Sequence, residues 1–164
     1  MPLHVPQELM IAQARSDYQV FRHLRGVAEC HRLHYLQMCT GKLAKVYFWR
    51  GMVFPGFHHN KFVLFLRDLA IRADFHEMFG YRRKSRFELR KNSTFDLATR
   101  IQNLAPAHGN DGPNPEYPWP PKLPTTSPLV FPYPEWRDWN ETTAGRRLGY
   151  FVQNLLSQYL HYFP

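Results

Sequence analysis

The sequence predicts an all-α fold, and two observations carry the prediction. Apolar side chains recur at three-, four- and seven-residue intervals near both ends and through the middle of the chain, the period of one helix face. Ten of the 14 prolines fall between Pro106 and Pro134, so the residue that helices exclude is confined to one stretch. The architecture expected from this pattern is an N-terminal helical extension over 1–59, a small helical core over 60–105, an extended Pro/aromatic arm over 106–142 and a C-terminal amphipathic helix over 143–164. At 164 residues and 19.5 kDa, one domain is expected.

The first element spans Gln7 to about Met38, free of proline, with Met10, Ala14, Tyr18, Phe21 and Ala28 on one stripe. After Gly41 an aromatic run, Val46-Tyr47-Phe48-Trp49, leads to the stop Pro55-Gly56; its conformation is ambiguous. Asn60 is a plausible cap for a helix reaching Phe79. Phe62, Phe65, Leu66, Leu69 and Ala73 form one stripe of that helix, and Leu64, Ile71, Phe75 and Met78 a second, as expected of a helix buried between neighbours. Gly80 stops it, and a basic helix follows from about Tyr81 to Lys91. Ser93 or Thr94 then caps a short helix with Ala98, Ile101, Leu104 and Ala105 inside and Asp96 in the first turn.

The arm is too rich in large side chains for a flexible linker. Tyr117, Trp119, Leu123, Val130, Phe131, Tyr133 and Trp136 predict that it lies along another surface. From Leu148 the series Phe151, Val152, Leu155, Leu156, Tyr159, Leu160 and Phe163 keeps the helical period, with Gln153, Asn154, Ser157 and Gln158 opposite. That helix must dock, on this chain or on a partner.

The charge narrows the function. Lys and Arg total 21 against 13 Asp and Glu, a net charge of +8, which implies an anionic partner: nucleic acid, an acidic protein or lipid headgroups. The densest run is Arg82, Arg83, Lys84, Arg86, Arg90 and Lys91, broken only by Glu88. On a helix Arg83, Arg86 and Arg90 make one ridge able to hold several phosphates or carboxylates, and Tyr81 and Phe87 beside it could stack on bases. A solvated basic face is the plainer alternative.

Other constellations are weaker. Cys30, His31, His34 and Cys39 are ligand types, but their spacing fits no recognised zinc pattern, and a helix turns them to different sides. His58-His59 is expected to be a pair of loop imidazoles. Glu135 and Asp138 are expected to be solvated surface carboxylates. Nucleophile elbow, phosphate loop and metalloprotease motifs are all missing, so no enzyme is expected. No apolar run approaches the roughly 20 residues of a membrane span. The start, with Arg15 as its first basic residue and Glu8 and Asp17 nearby, fits neither a secretory signal nor an Arg-rich presequence.

Residues 60–103 resemble the Leu-Tyr-Arg (LYR) motif family of small mitochondrial helical proteins. The resemblance rests on Val63-Leu64-Phe65-Leu66-Arg67-Asp68-Leu69 as the motif helix, with Phe65-Leu66-Arg67 at the tripeptide and Val20-Phe21-Arg22 as a weaker rival for it, and on the later cluster Arg86-Phe87-Glu88-Leu89-Arg90-Lys91-Asn92. Tyr133-Pro134-Glu135-Trp136 is similar to the proline-rich extension of the branch that serves as an accessory subunit of respiratory complex I. The resemblance implies a three-helix core, a non-catalytic adaptor role and a place on the matrix side of the mitochondrial inner membrane. It also implies a partner, the mitochondrial acyl carrier protein, which itself carries the acyl-phosphopantetheine. In that reading Arg67, Arg82, Arg83, Arg86, Arg90 and Lys91 meet the acidic partner, while Phe65, Leu66, Leu69, Phe87 and Ile101 line a slot for the acyl chain. The alternative is a mitochondrial ribosome or ribonucleoprotein component that holds RNA with the basic helix and the arm.

Overall fold

The computed structural model describes residues 5–49, 61–72, 75–104, 115 and 127–163. They form seven helices and no strand: α1 (Val5–His23), α2 (Glu29–Phe48), α3 (Phe62–Ala70), α4 (Phe75–Met78), α5 (Lys84–Asn103), α6 (Pro134–Glu141) and α7 (Thr143–Tyr162). The expected all-α class is what the chain adopts.

The single N-terminal helix expected over Gln7–Met38 is instead a hairpin. Gly26 sits at φ +69°, a left-handed conformation that other residues adopt at a cost, and the chain reverses there between α1 and α2. The periodic stripe crosses the break without a change of residue type, because both helices bury the same kind of face. Polar ties lock the hairpin: Asp17, 5% exposed, is ion-paired with Lys42 and accepts from Gln13 at 3.1 Å. Gln7 Nε2 donates to Trp49 O at 2.8 Å, closing the C-terminal end of α2. The aromatic run at Val46–Phe48 is the last turn of α2, and Gly41 is buried inside that helix rather than ending it.

The helix expected up to Phe79 ends at Ala70 and resumes as the short α4. Its second apolar stripe is only half realised: Phe75 and Met78 are buried, but Leu64 and Ile71 face solvent at 44% and 87% exposure. Gly80, at φ +68°, ends α4 as expected. Two side chains from α7 satisfy the freed carbonyls, Asn154 donating to Met78 O at 3.3 Å and Arg147 to Gly80 O at 2.7 Å.

Two helices expected on either side of Ser93 are one, α5. Ser93 and Thr94 hydroxyls donate back to Arg90 O at 2.9 and 3.4 Å instead of capping a new helix, the other local bond open to these residues. A polar relay fixes α5 among its neighbours. Gln37 of α2 donates to Gln102 O at 3.2 Å, and Gln102 Oε1 accepts from Val63 N at 2.9 Å, capping the start of α3.

Helix α7 docks on its own chain, which decides between the two options left by the sequence. Phe151 stacks on Phe79 with ring centroids 4.5 Å apart and planes 7° apart, and also meets Phe75 and Phe65. Leu148, Phe151, Val152, Leu155, Leu156 and Tyr159 are all buried, as the period predicted. One hydrophobic cluster runs from Ile11 to Tyr159, so the segments share a single core. Near its end α7 is non-helical at Gln158, and Arg15 Nε donates to Leu156 O at 2.7 Å beside this kink.

Most of the expected arm, with Tyr117, Trp119 and Leu123, lies outside the described residues, as do Pro55-Gly56, His58-His59, Asn60, Ala73 and Ala105. Its described end is helical rather than extended: Pro134 starts α6, where its fixed φ and missing N–H suit the first turn. Trp136 and Trp139 both meet Phe21 edge-on, at 6.0 and 5.5 Å, which seats α6 on α1. Thr142 joins α6 to α7, its hydroxyl donating to Asp138 O at 2.6 Å while accepting from Gly145 N at 3.0 Å. The corner is tight enough to require glycine: a Cβ on Gly145 would lie 2.2 Å from Trp139 O.

Candidate functional site

The basic ridge is built on the N-terminal half of α5, and Phe87 sets its orientation. Phe87 is 2% exposed among Phe75, Phe79 and Tyr81, so the helix is rotated to send Arg86, Leu89 and Arg90 outward. Arg82, Arg83, Lys84, Arg86 and Arg90 are all exposed. Lys91, half-buried, is the cation of the run that pairs within the helix, to Glu88. Leu89 stands among these cations at 81% exposure. The helix starts at Lys84, not at about Tyr81 as expected: Arg83 is its N-cap in extended backbone, so Arg82 and Arg83 precede the helical ridge, and there is no side-chain cap and no acid in the first turn. Cations are thereby stacked on the positive end of the helix dipole, an arrangement that an anionic partner relieves.

Tyr81 and Phe87, considered above for base stacking, are both buried, at 7% and 2% exposure. Tyr81 carries the guanidinium of Arg147 4.7 Å above its ring, and among the described residues its hydroxyl has no hydrogen-bond partner. Arg67 is exposed on α3, beside Asp68, and stands on a different element from the ridge.

The five residues assigned to an acyl slot are all buried in the hydrophobic core. Phe65, Leu66, Leu69 and Ile101 are 0% exposed and Phe87 2%. Phe65 meets Tyr47 of α2 at 4.9 Å, Phe163 at the C-cap of α7 at 6.1 Å and Phe151 of α7 at 6.2 Å.

Two carboxylates expected at the solvated surface belong instead to a partly buried ion cluster. Glu135 is 8% exposed, and Arg100 reaches it at 3.6 Å while donating to Asp138 at 2.7 Å and Asp96 at 3.2 Å. The hydrogen bonds and negative charge around Arg100 outweigh its partial burial and hold its pKa above the usual arginine value. This clamp ties α6 to α5. Only its Asp96–Arg100 pair, four residues apart on one helix, was visible as a spacing. The Arg32 guanidinium, 4.2 Å above the Trp136 ring, makes a second fastening that no sequence pattern marked.

Cys30 and Cys39 are buried free thiols. Burial pushes the Cys39 thiol well above its ordinary value, with nearby Asp17 adding to the shift, so it is a poor nucleophile and a poor metal ligand. Among the described residues, no three His, Cys, Asp or Glu side chains are grouped to hold a metal ion, and no helix is long and apolar enough to cross a membrane.

No family model, curated protein or solved structure matches this chain. The geometry of α5 and the motif residues are therefore the grounds for a functional reading.

Proposed function

We propose that the chain is a non-catalytic adaptor that holds an acidic protein on the α5 ridge. The supporting observation is the combination of three exposed cations (Lys84, Arg86, Arg90) and an exposed leucine on a helix anchored on its inner side by Phe87, with exposed Arg82 and Arg83 just before its first turn. Guanidinium groups make strong charge-assisted bonds to carboxylates and phosphates. Leu89 adds an apolar point that suits a folded protein and has no counterpart along a phosphate backbone. The RNA alternative is weakened by the burial of Tyr81 and Phe87, which removes its stacking platform.

The LYR resemblance supplies the candidate partner and setting: the mitochondrial acyl carrier protein, within a respiratory complex of the complex I type at the matrix face of the inner membrane. The reading rests on charge and Leu89; Phe65, Leu66, Leu69, Phe87 and Ile101 are buried in the core, and the reading does not require an acyl chain to enter among them. The test is coexpression with that carrier protein followed by purification and mass spectrometry of the complex. Wild type retains the carrier, and an Arg86→Glu/Arg90→Glu double variant of unchanged helicity loses it. Retention by the double variant overturns the proposal. RNA bound in place of the carrier, with affinity falling steeply as salt rises, gives the site to the alternative.

A further inference from the structure

A second cationic feature lies away from α5, in a groove of about 520 Å³ between α1 and α7. Arg15, Gln19 and Arg22 line it from α1 at three- and four-residue steps, joined by His23, while Gln153 faces them from α7. Among the described residues, no carboxylate lines it. Helix α7 contains no Asp or Glu, and Asp17, the nearest acid on α1, is buried and held by Lys42 and Gln13. The dipole of α1 accounts for Arg22 and His23 in the last turn but not for Arg15, two turns earlier.

Arg15 has a fixed orientation. Its Nε donates to Leu156 O at 2.7 Å, beside the non-helical Gln158, so one edge of the guanidinium is anchored to α7. The two terminal nitrogens then form the edge that fits paired oxygens of a phosphate or carboxylate. Arg22 has no ion pair among the described residues. Exposed cations gathered along an open groove whose described lining holds no acid raise the positive potential there, and amides at Gln19 and Gln153 can complete the coordination of a tetrahedral anion.

We propose that the α1/α7 groove is a binding site for a phosphomonoester, with Arg15 and Arg22 holding the phosphate oxygens and Gln19 and Gln153 donating from the two walls. The site is separate from the ridge and does not depend on the adaptor role.

The phosphomonoester comes from a free metabolite or from a lipid headgroup, and two arms of one experiment separate these. The full chain is titrated calorimetrically with glycerol 3-phosphate in low-salt chloride buffer, and its sedimentation with phosphatidylcholine vesicles is measured with and without phosphatidic acid. The expected result is saturable one-to-one binding in at least one arm, weakened about tenfold by Arg22→Gln, an exposed substitution. An Arg86→Gln/Arg90→Gln variant keeps that binding within about twofold, because the ridge lies elsewhere. Binding in the titration assigns a soluble ligand, and binding only to the acidic vesicles assigns a lipid headgroup. Absence of binding in both arms overturns the proposal. So does binding that Arg22→Gln and a folded Arg15→Gln variant both leave intact, or that the α5 variant abolishes.

Discussion

Replacing Phe151 with alanine removes the ring on which the α3, α4 and α7 contacts converge. Phe151 is 0% exposed, stacks on Phe79 at 4.5 Å, and lies 5.4 Å from Phe75 and 6.2 Å from Phe65. A Phe→Ala change in a closed core costs about 3–5 kcal/mol through lost transfer energy and the cavity left behind. A domain of this size is stable by about 5–15 kcal/mol, so the variant loses a large fraction of its margin. The assay is urea unfolding of the isolated chain followed by circular dichroism, comparing midpoints at a common slope. If α7 packs on its own chain, the midpoint falls sharply. A change below about 1 kcal/mol refutes the reasoning, since exposed substitutions cost little. In that event α7 does not close the core.

Gly145→Ala is expected to destabilise by about 1–3 kcal/mol, because its Cβ would sit 2.2 Å from Trp139 O and the α6–α7 corner must shift. Gly149→Ala, whose Cβ meets Trp139 Cζ2 at 3.3 Å, is expected near zero because the gain in helix propensity offsets the contact; thermal melts of the two variants check the contrast. Arg100→Met leaves Glu135 without its cation and Asp138 with only the exposed Arg137 at 3.7 Å, and about 1–3 kcal/mol of stability is lost in urea unfolding, less than for a fully buried pair because Arg100 is 33% exposed. Alkaline pH is expected to weaken the fold. Burial raises Cys39 above the ordinary thiol value of 9.0 and Tyr133 and Tyr159 above the ordinary phenol value of 10.0. The unfolded chain therefore loses these protons first, and stability present below pH 9.0 declines as pH rises past the ordinary values. Lys45, lowered by burial and by Lys42, opposes this in the same alkaline range. Unfolding midpoints across pH for wild type and Cys39→Ala read the balance, with a shallower decline expected in the variant.

Helix class and core faces were legible because burial leaves a period. The run from Phe151 to Tyr159 needs one buried side, and its spacing says so directly. Boundaries were less legible. Gly26 lies inside an apolar stripe that continues across it, although Arg22 and His23 just before it are a helix-ending signature. Ser93 and Thr94 read equally well as a cap or as back-bonding residues, and only the packing of Phe87, Leu97 and Ile101 on one continuous face decides.

At the candidate site the cations were plain in the sequence, but what lies beneath them was not. Whether Phe87 stacks on a ligand or fills the core depends on Phe75, Phe79 and Tyr81, which come from other elements. The clamp at Arg100 was hidden for the same reason, as Glu135 and Asp138 reach it from beyond the proline-rich stretch. The α1/α7 groove joins residues more than 130 positions apart, a separation no spacing rule spans.

The most direct test of the adaptor reading is calorimetric titration of the chain with the mitochondrial acyl carrier protein in two forms, acyl-loaded and holo. The account predicts one-to-one binding of similar affinity for both forms, weakened by salt and lost in the folded Arg86→Glu/Arg90→Glu variant. No binding by wild type, or binding that depends on the acyl chain and ignores the two arginines, contradicts it.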